Sequence, residues 1–379
     1  MHELILQSDL KDIYSRVLAG QRLTLDDGVR LYESPHLAYV GHMANLVRER
    51  MNGDKAYYVR NQHINYTNIC QKDCKFCSFY AKKGGPDPYV LSPDDIADRV
   101  RRYIDLPVTE IHVVGGIHPR LPYSYYLDLL SAIRQVRPDV HIKAWTMVEL
   151  AQIHKVGPFE TLEETLTDLQ RHGLASCPGG GAEVSSERVH QELFGKKLDS
   201  AEWLDIARTA HRSGLRSNAT MLYGHIETYA ERVEHMIRLR DLQDETGGFL
   251  TFIPLAMDPT NTELADIKRD SGIDDLRNIA VARLMLDNFP HIKAFWIMIT
   301  PPVAQTSLWY GADDMDGTIM EYEITHVGVD AKDHRQGLSQ KQMIRLIESA
   351  GREPVERDTL YNRLGDDGKL LAGAAAGVQ

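Results

Sequence analysis

Three cysteines fall within eight residues, Cys70-Gln-Lys-Asp-Cys74-Lys-Phe-Cys77, with the aromatic Phe76 just before the last thiol. Three thiolates hold three irons of a cubane 4Fe–4S cluster and leave the fourth iron to another ligand. An incompletely coordinated iron is a place where a substrate or cofactor binds, so the spacing points to reactivity rather than to electron wiring. Two other readings compete. A structural zinc site closes with four ligands, usually on paired Cys-x2-Cys arms. No second pair exists here: Cys177 lies far downstream in Ser-Cys-Pro-Gly-Gly, and His63 sits in a strand-like segment ahead of the loop. A disulfide framework does not suit a long acidic chain with only four cysteines.

The loop needs a scaffold, and the chain is long enough to build one. Its 379 residues are 43% hydrophobic, enough for a substantial buried core. The formal charge, 43 − 54 = −11, disfavours a nucleic-acid partner, which requires basic faces. No run of eighteen apolar residues predicts a membrane span, and Met1-His2-Glu3-Leu4 lacks the basic and apolar regions of a signal peptide. A cytoplasmic location is expected, where thiols stay reduced.

Short β-rich segments alternate with amphipathic helices. The expected strands are His63–Thr67, Glu110–Val114, His141–Trp145, Leu174–Cys177, Leu215–Leu222, Phe249–Ile253 and Lys293–Ile299. Their starts lie roughly 30–45 residues apart, the rhythm of a repeated βα unit. Helix starts are punctuated by Ser92-Pro-Asp-Asp95 and by the capping box Thr161-Leu-Glu-Glu164. Gly173 and Gly214 are placed to end helices in a left-handed turn. Strands that alternate with helices run parallel, and this many units favour a barrel, whose chemistry collects where the strands end. The cysteines, Gly115-Gly116 and Pro178-Gly-Gly-Gly181 all follow strands. Residues 1–55 read as a helical extension, 56–300 as the barrel core, 301–364 as a segment closing or capping it, and 365–379 as a disordered tail.

The cysteine loop, the glycine loops and the βα rhythm together resemble the radical AdoMet superfamily from about Tyr57 to Ile299. Within it, nearly the whole chain resembles the aminofutalosine synthase family of the futalosine menaquinone pathway. The stretches that carry this include His63-Ile-Asn-Tyr-Thr-Asn-Ile-Cys70, Gly115-Gly-Ile-His-Pro119, Gly179-Gly-Gly-Ala-Glu183 and Tyr223-Gly-His-Ile-Glu227. Leu242-Gln-Asp-Glu-Thr-Gly-Gly248 and Gly311-Ala-Asp-Asp-Met-Asp-Gly317 are the more diagnostic ones. The chain departs from the expected Asn-Arg-His before the cluster, having Asn61-Gln62-His63. The resemblance implies an α/β fold, the radical AdoMet (βα) barrel with a six-unit core extended towards a full TIM-like barrel and N-terminal helices. It implies a 4Fe–4S cluster on Cys70, Cys74 and Cys77, and S-adenosyl-L-methionine consumed as co-substrate. The reaction it implies is addition of the 5′-deoxyadenosyl radical to 3-[(1-carboxyvinyl)oxy]benzoate, with a low-potential electron donor as partner. Oligomeric state has no signature in the sequence.

For S-adenosylmethionine the resemblance assigns Phe76, Gly115, Gly116, Glu183, Ser185 and Arg188, with Met221 and Phe252-Ile-Pro-Leu255 near the adenine. The substrate's two carboxylates need donors, and His63, Asn65 and Thr67 alternate along the first strand so as to share one face. His118, Thr146 and His225 follow other strands at the same end; His63 and His225 are the candidates for moving protons. Each of these histidines has a plain alternative as a satisfied core residue, and Cys177 reads as a small buried apolar side chain. Two rival functions stay open: a hydrogen-abstracting relative such as dehypoxanthine futalosine cyclase, or a non-catalytic cluster protein for electron transfer or sensing.

Overall fold

The computed structural model describes residues 1–82, 85–268, 271–322, 324, 337–365 and 368–371. Four helices come first, His2–Leu6, Lys11–Leu18, Leu25–Glu33 and Leu37–Asn52. The third opens on a capping box, Thr24 accepting from the Asp27 N–H and Asp27 from that of Thr24. This extension is not a separate lobe. Helix Leu25–Glu33 packs on helix Tyr229–Thr246, and Leu37–Asn52 on Gly272–Met285, so it flanks the barrel.

The strands are β1 Lys55–Val59, β2 Asn61–Ile64, β3 Glu110–Val113, β4 His141–Ala144, β5 Ser176–Cys177, β6 Arg216–Tyr223, β7 Phe249–Ala256, β8 His291–Ile292, β9 Asp314–Gly317 and β10 Glu353–Glu356. Strands β2 to β8 form one sheet in sequential order, and every pair in it is parallel. Strands β10, β1 and β9 make a second parallel sheet. The stretch 314–320 touches both edges of the larger sheet, through Lys293↔Asp314 at one and Gln62↔Met320 at the other. The expected closing segment is therefore the one containing β9.

Two strand expectations are corrected. The first strand stops at Ile64, so Asn65 and Thr67 do not share its face with His63. The last ends at Ile292, and Trp296–Ile299 is a short helix instead of the end of a strand. A short apolar run such as Ala294–Ile299 fits a buried helix as well as a buried strand; Thr300, at φ +74°, and Pro301 then start the next helix. Gly173 and Gly214 adopt positive φ as expected. Of the expected tail, Leu370 bridges back to Leu364, so the chain is structured there; residues 366–367 and 372–379 lie outside the described residues. Among the described residues no helix is long and apolar enough to cross a membrane.

Residues 357–361 plug the bottom of the barrel. Arg357 pairs with Asp314 at 2.6 Å, Thr359 donates to Glu110 at 2.7 Å, and the Tyr361 ring stacks on His291 with centroids 3.6 Å apart. Beside them Asp313, wholly buried, accepts from Arg283 at 2.7 Å, His291 at 2.5 Å and the Ile292 N–H at 2.8 Å. Removing one partner of a buried pair strands the other charge. Asp313→Ala is expected to cost about 3–5 kcal/mol, read as a fall in the urea midpoint of unfolding.

Candidate active site

Alternation along the strands decides what the barrel lumen contains. Ile111, Val113 and Ile142 face the helices and are fully buried, while Glu110, His112 and Lys143 point the other way. From β6 the inward row is Asn218, Thr220 and Leu222, and from β7 it includes Ile253 and Leu255. Of these, His112 and the β6 and β7 side chains line a cavity of about 320 Å³ that opens at the C-terminal end of the strands, and Glu110 and Lys143 are buried outside its lining. All three cysteines of the motif line it, with Phe76, Gly115, Gly116, Thr146, Glu183 and His63.

The cysteine loop is seated by its neighbours' backbone. The Gly116 N–H donates to Thr67 at 2.8 Å, Gln71 to Ile117 at 3.0 Å, and Lys75 to Leu193 at 2.9 Å. Position 116 has to be glycine for this, since a Cβ would stand 2.4 Å from the Ile69 carbonyl oxygen and 3.1 Å from the Cys70 Cβ. The three thiols are free. Burial pushes the Cys74 thiol up to about 12, although the nearby Lys197 cation pulls the other way, and burial raises Cys77 as well. Without a metal these thiols stay protonated near neutrality; binding one would release their protons. The donor set fits an iron–sulfur cluster: three thiols on one wall, spread over a loop as the corners of a cube require. Among the described residues no three His, Cys, Asp or Glu side chains converge as a single ion demands.

Beside the thiols, Glu183 holds a left-handed backbone at φ +52° and its carboxylate is ion-paired with Lys197. Burial opposes the charge on Lys197, but the paired Glu183 carboxylate outweighs it and holds the lysine protonated. That ammonium also lies 5.7 Å from the Phe76 ring centroid. At the deeper end His63 and His112 stack with centroids 4.5 Å apart and planes 14° from parallel, and Tyr322 meets His63 edge-on at 5.3 Å. Lys293 is paired there with Asp316 at 2.7 Å. Burial holds His63 down to about 4 and His112 well below the usual imidazole range, so both rings are neutral.

Several expected residues are placed elsewhere. Asn65 donates to the Val114 carbonyl and Thr67 to that of Tyr89, bracing the cysteine loop from behind. Ser185 bonds His235 at 2.9 Å, and Arg188 pairs with Glu231 at 2.7 Å on the surface. The His225 ring lies 2.7 Å from Glu227 and bonds the Leu222 carbonyl, and His118 accepts from the Arg120 N–H. None of these six lines the cavity. Gln62, at the departure from the expected motif, points outward to the Arg99 carbonyl. Met221 and Phe252 are core, whereas Ile253 and Leu255 do line the wall. Cys177 is buried core, its thiol pushed up to about 12 by that burial and then by Glu149. Sequence reasoning missed Lys197, His112, Lys293 and Asp316. Only His112 and Lys293 carried a signal, as polar residues within strand-like runs.

Glu149 was missed too, although Thr146-x-x-Glu149 is a capping box. It caps helix Met147–Val156 and also accepts from the Gly115 N–H at 2.9 Å and the Tyr66 hydroxyl at 3.0 Å, tying the glycine loop to the next helix. Burial raises it from 4.5 to about 7, against those hydrogen bonds. A raised carboxyl binds a proton in the folded state that the unfolded chain has released, so this group's stabilisation is full below 4.5 and is lost as pH rises to about 7. The stability margin of the wild type over Glu149→Gln is therefore expected to shrink across that interval and stay level above it, measured by urea unfolding at a series of pH values.

Comparison with known proteins agrees with this geometry. Residues 64–239 match the radical SAM superfamily, and residues 246–367 the CofH/MqnC C-terminal region. The chain is 45% identical to aminodeoxyfutalosine synthase of Thermus thermophilus, over 93% of this chain and 95% of that one. It is 39% identical to aminodeoxyfutalosine synthase of Streptomyces coelicolor, over 93% and 94%. Cyclic dehypoxanthine futalosine synthase of Halalkalibacterium halodurans is 34% identical over 92% and 93%. In fold, methylornithine synthase superposes with a TM-score of 0.71 at 17% identity, over 90% of this chain and 97% of that one. Three thiols at the mouth of a parallel barrel, and relatives matched along nearly the whole chain, place it in the radical SAM superfamily, among the enzymes that share the CofH/MqnC C-terminal region.

Proposed function

We propose that the chain adds the 5′-deoxyadenosyl group of S-adenosylmethionine to the enolpyruvyl double bond of 3-[(1-carboxyvinyl)oxy]benzoate. The products are 6-amino-6-deoxyfutalosine, methionine and CO2 or bicarbonate, as a step of menaquinone biosynthesis in the cytoplasm. The observation that carries this reading is a single cavity with three thiols at one end and a polar, charge-paired floor at the other. Its size is that of a site for small molecules.

Cys70, Cys74 and Cys77 would hold a 4Fe–4S cluster, which with S-adenosylmethionine bound supplies a primary carbon radical when a low-potential donor delivers an electron. The protein's part is positioning and exclusion of water. Gly115 and Gly116 keep the wall beside the cysteine loop thin, and Glu183 with Lys197 offers paired charges to polar groups of the co-substrate. Leu222, Ile253, Leu255 and Phe295 give the apolar wall against which an aryl ring packs. His63 is the expected imidazole that faces this space; His225, tied to Glu227, supports the loop after β6.

Anaerobically reconstituted protein, reduced and given both substrates, is expected to yield one product whose mass contains adenosine and the aryl acid. Release of free 5′-deoxyadenosine without that adduct would assign the chain to the hydrogen-abstracting relatives. Cys74→Ala should leave circular dichroism unchanged, lower bound iron and sulfide, and abolish turnover.

A further inference from the structure

The floor of the cavity and the layer beneath it are built from five elements, and their charges cancel. Lys293, following β8, is paired with Asp316 of β9; Lys143 of β4 is paired with Glu110 of β3 at 2.7 Å. The imidazoles of His63 on β2 and His112 on β3 stack between these pairs, with Tyr322 closing one side. Asn61 fixes one tautomer. Its Oδ1 accepts from the Ile319 N–H at 2.9 Å, which turns its NH2 towards the His63 Nε2 at 3.4 Å. That nitrogen accepts, so the His63 proton sits on Nδ1. His112 differs: its ring makes no hydrogen bond to a described residue, stands 4.0 Å from Glu110, and faces the cavity. Asp316 is aimed into the same space by a left-handed backbone at φ +64°, a strain of the kind that collects at functional sites.

We infer that this floor is a carboxylate subsite in which the stacked His63–His112 pair takes up one proton as the aryl carboxylate of the substrate arrives. The inference rests on the enolpyruvyl benzoate reading. The cysteines define the reacting end, after β2, so the enolpyruvyl group lies there and the aryl carboxylate points down the strands to His63, His112 and Lys293. A carboxylate entering a site whose charges already cancel leaves one negative charge unbalanced in a poorly solvated space. The facing groups are Glu110, Lys143, Lys293, Asp316 and Tyr322. Each lysine is already paired with an acid, which leaves an imidazole as the group able to gain charge. Two rings in contact repel a second proton, so uptake stops at one. An opposite charge at contact raises a depressed imidazole by roughly 1–3 pH units, bringing it into the range of ordinary buffers.

The test is isothermal titration calorimetry of the cluster-loaded, oxidised protein with the enolpyruvyl benzoate, in buffers of different ionisation enthalpy. Uptake should be a measurable fraction of one proton at about pH 5–6, falling towards none near about pH 8. Over that interval affinity weakens by up to tenfold per pH unit as the proton becomes scarcer. His112→Asn should flatten the pH dependence and remove the buffer dependence. Should that variant not fold, judged by the response of its cluster spectrum to S-adenosylmethionine, the carboxamide analogue on the unaltered protein carries the test. The analogue with a carboxamide in place of the aryl carboxylate should bind without uptake. Binding with identical heats in all buffers overturns the inference and leaves the substrate reading standing. An absence of binding, with S-adenosylmethionine still bound, overturns both.

Discussion

A charge removed from water must be cancelled, and the lumen of this barrel satisfies that constraint down its length. At the base Arg283 and His291 share Asp313; above them Arg357 meets Asp314, Lys143 meets Glu110, and Lys293 meets Asp316. Near the mouth Lys197 meets Glu183. Isolated, any one of these ions would cost several kcal/mol to bury. Paired across strands, each ties one part of the barrel to another. Asp313, Asp314 and Asp316 all come from or beside one short strand that reaches both edges of the sheet, so the element that closes the barrel also supplies counter-ions to its lumen.

This explains how an acidic protein can offer a cavity to an acidic substrate. The surplus negative charge is a property of the surface. The interior is neutral by pairs, with two uncharged imidazoles among them. The cavity therefore divides into a thiol end, an apolar middle and a polar floor, each made of residues on different strands. Relatives with different reactions share the scaffold along nearly their whole length, which is what a barrel with interchangeable wall residues permits.

Much of this was legible in the chain. The cysteine spacing singled out three thiols that the fold gathers at one cavity, and the N-cap at Ser92 and the capping box at Thr161 placed helices where they are found. The period-two argument failed at Asn65 and Thr67 because the strand is short: the chain turns to carry the cysteine loop, and both side chains become braces. Ser185, Arg188 and His225 follow strands as site residues do, yet each is taken up by a partner outside the cavity, His235, Glu231 and Glu227. Sequence order says nothing about which way a loop residue points once a strand has ended. Lys197 and Asp316 were invisible for the converse reason. Each matters through an ion pair that only the fold assembles, Lys197 with Glu183 and Asp316 with Lys293, and neither residue stands out in its own stretch of sequence.

The plug formed by residues 357–361 has a consequence for biogenesis. Strand β10 lies against β1, and Thr359 reaches Glu110, so the lumen is completed by a residue 249 positions downstream of Glu110. The βα units can form as they emerge, but Glu110 and Asp314 lack Thr359 and Arg357 until residues 357–359 have been made. A fully formed pocket therefore needs this downstream segment, and a chain truncated before Glu353 would leave Glu110 and Asp314 without Thr359 and Arg357 even with every cysteine in place.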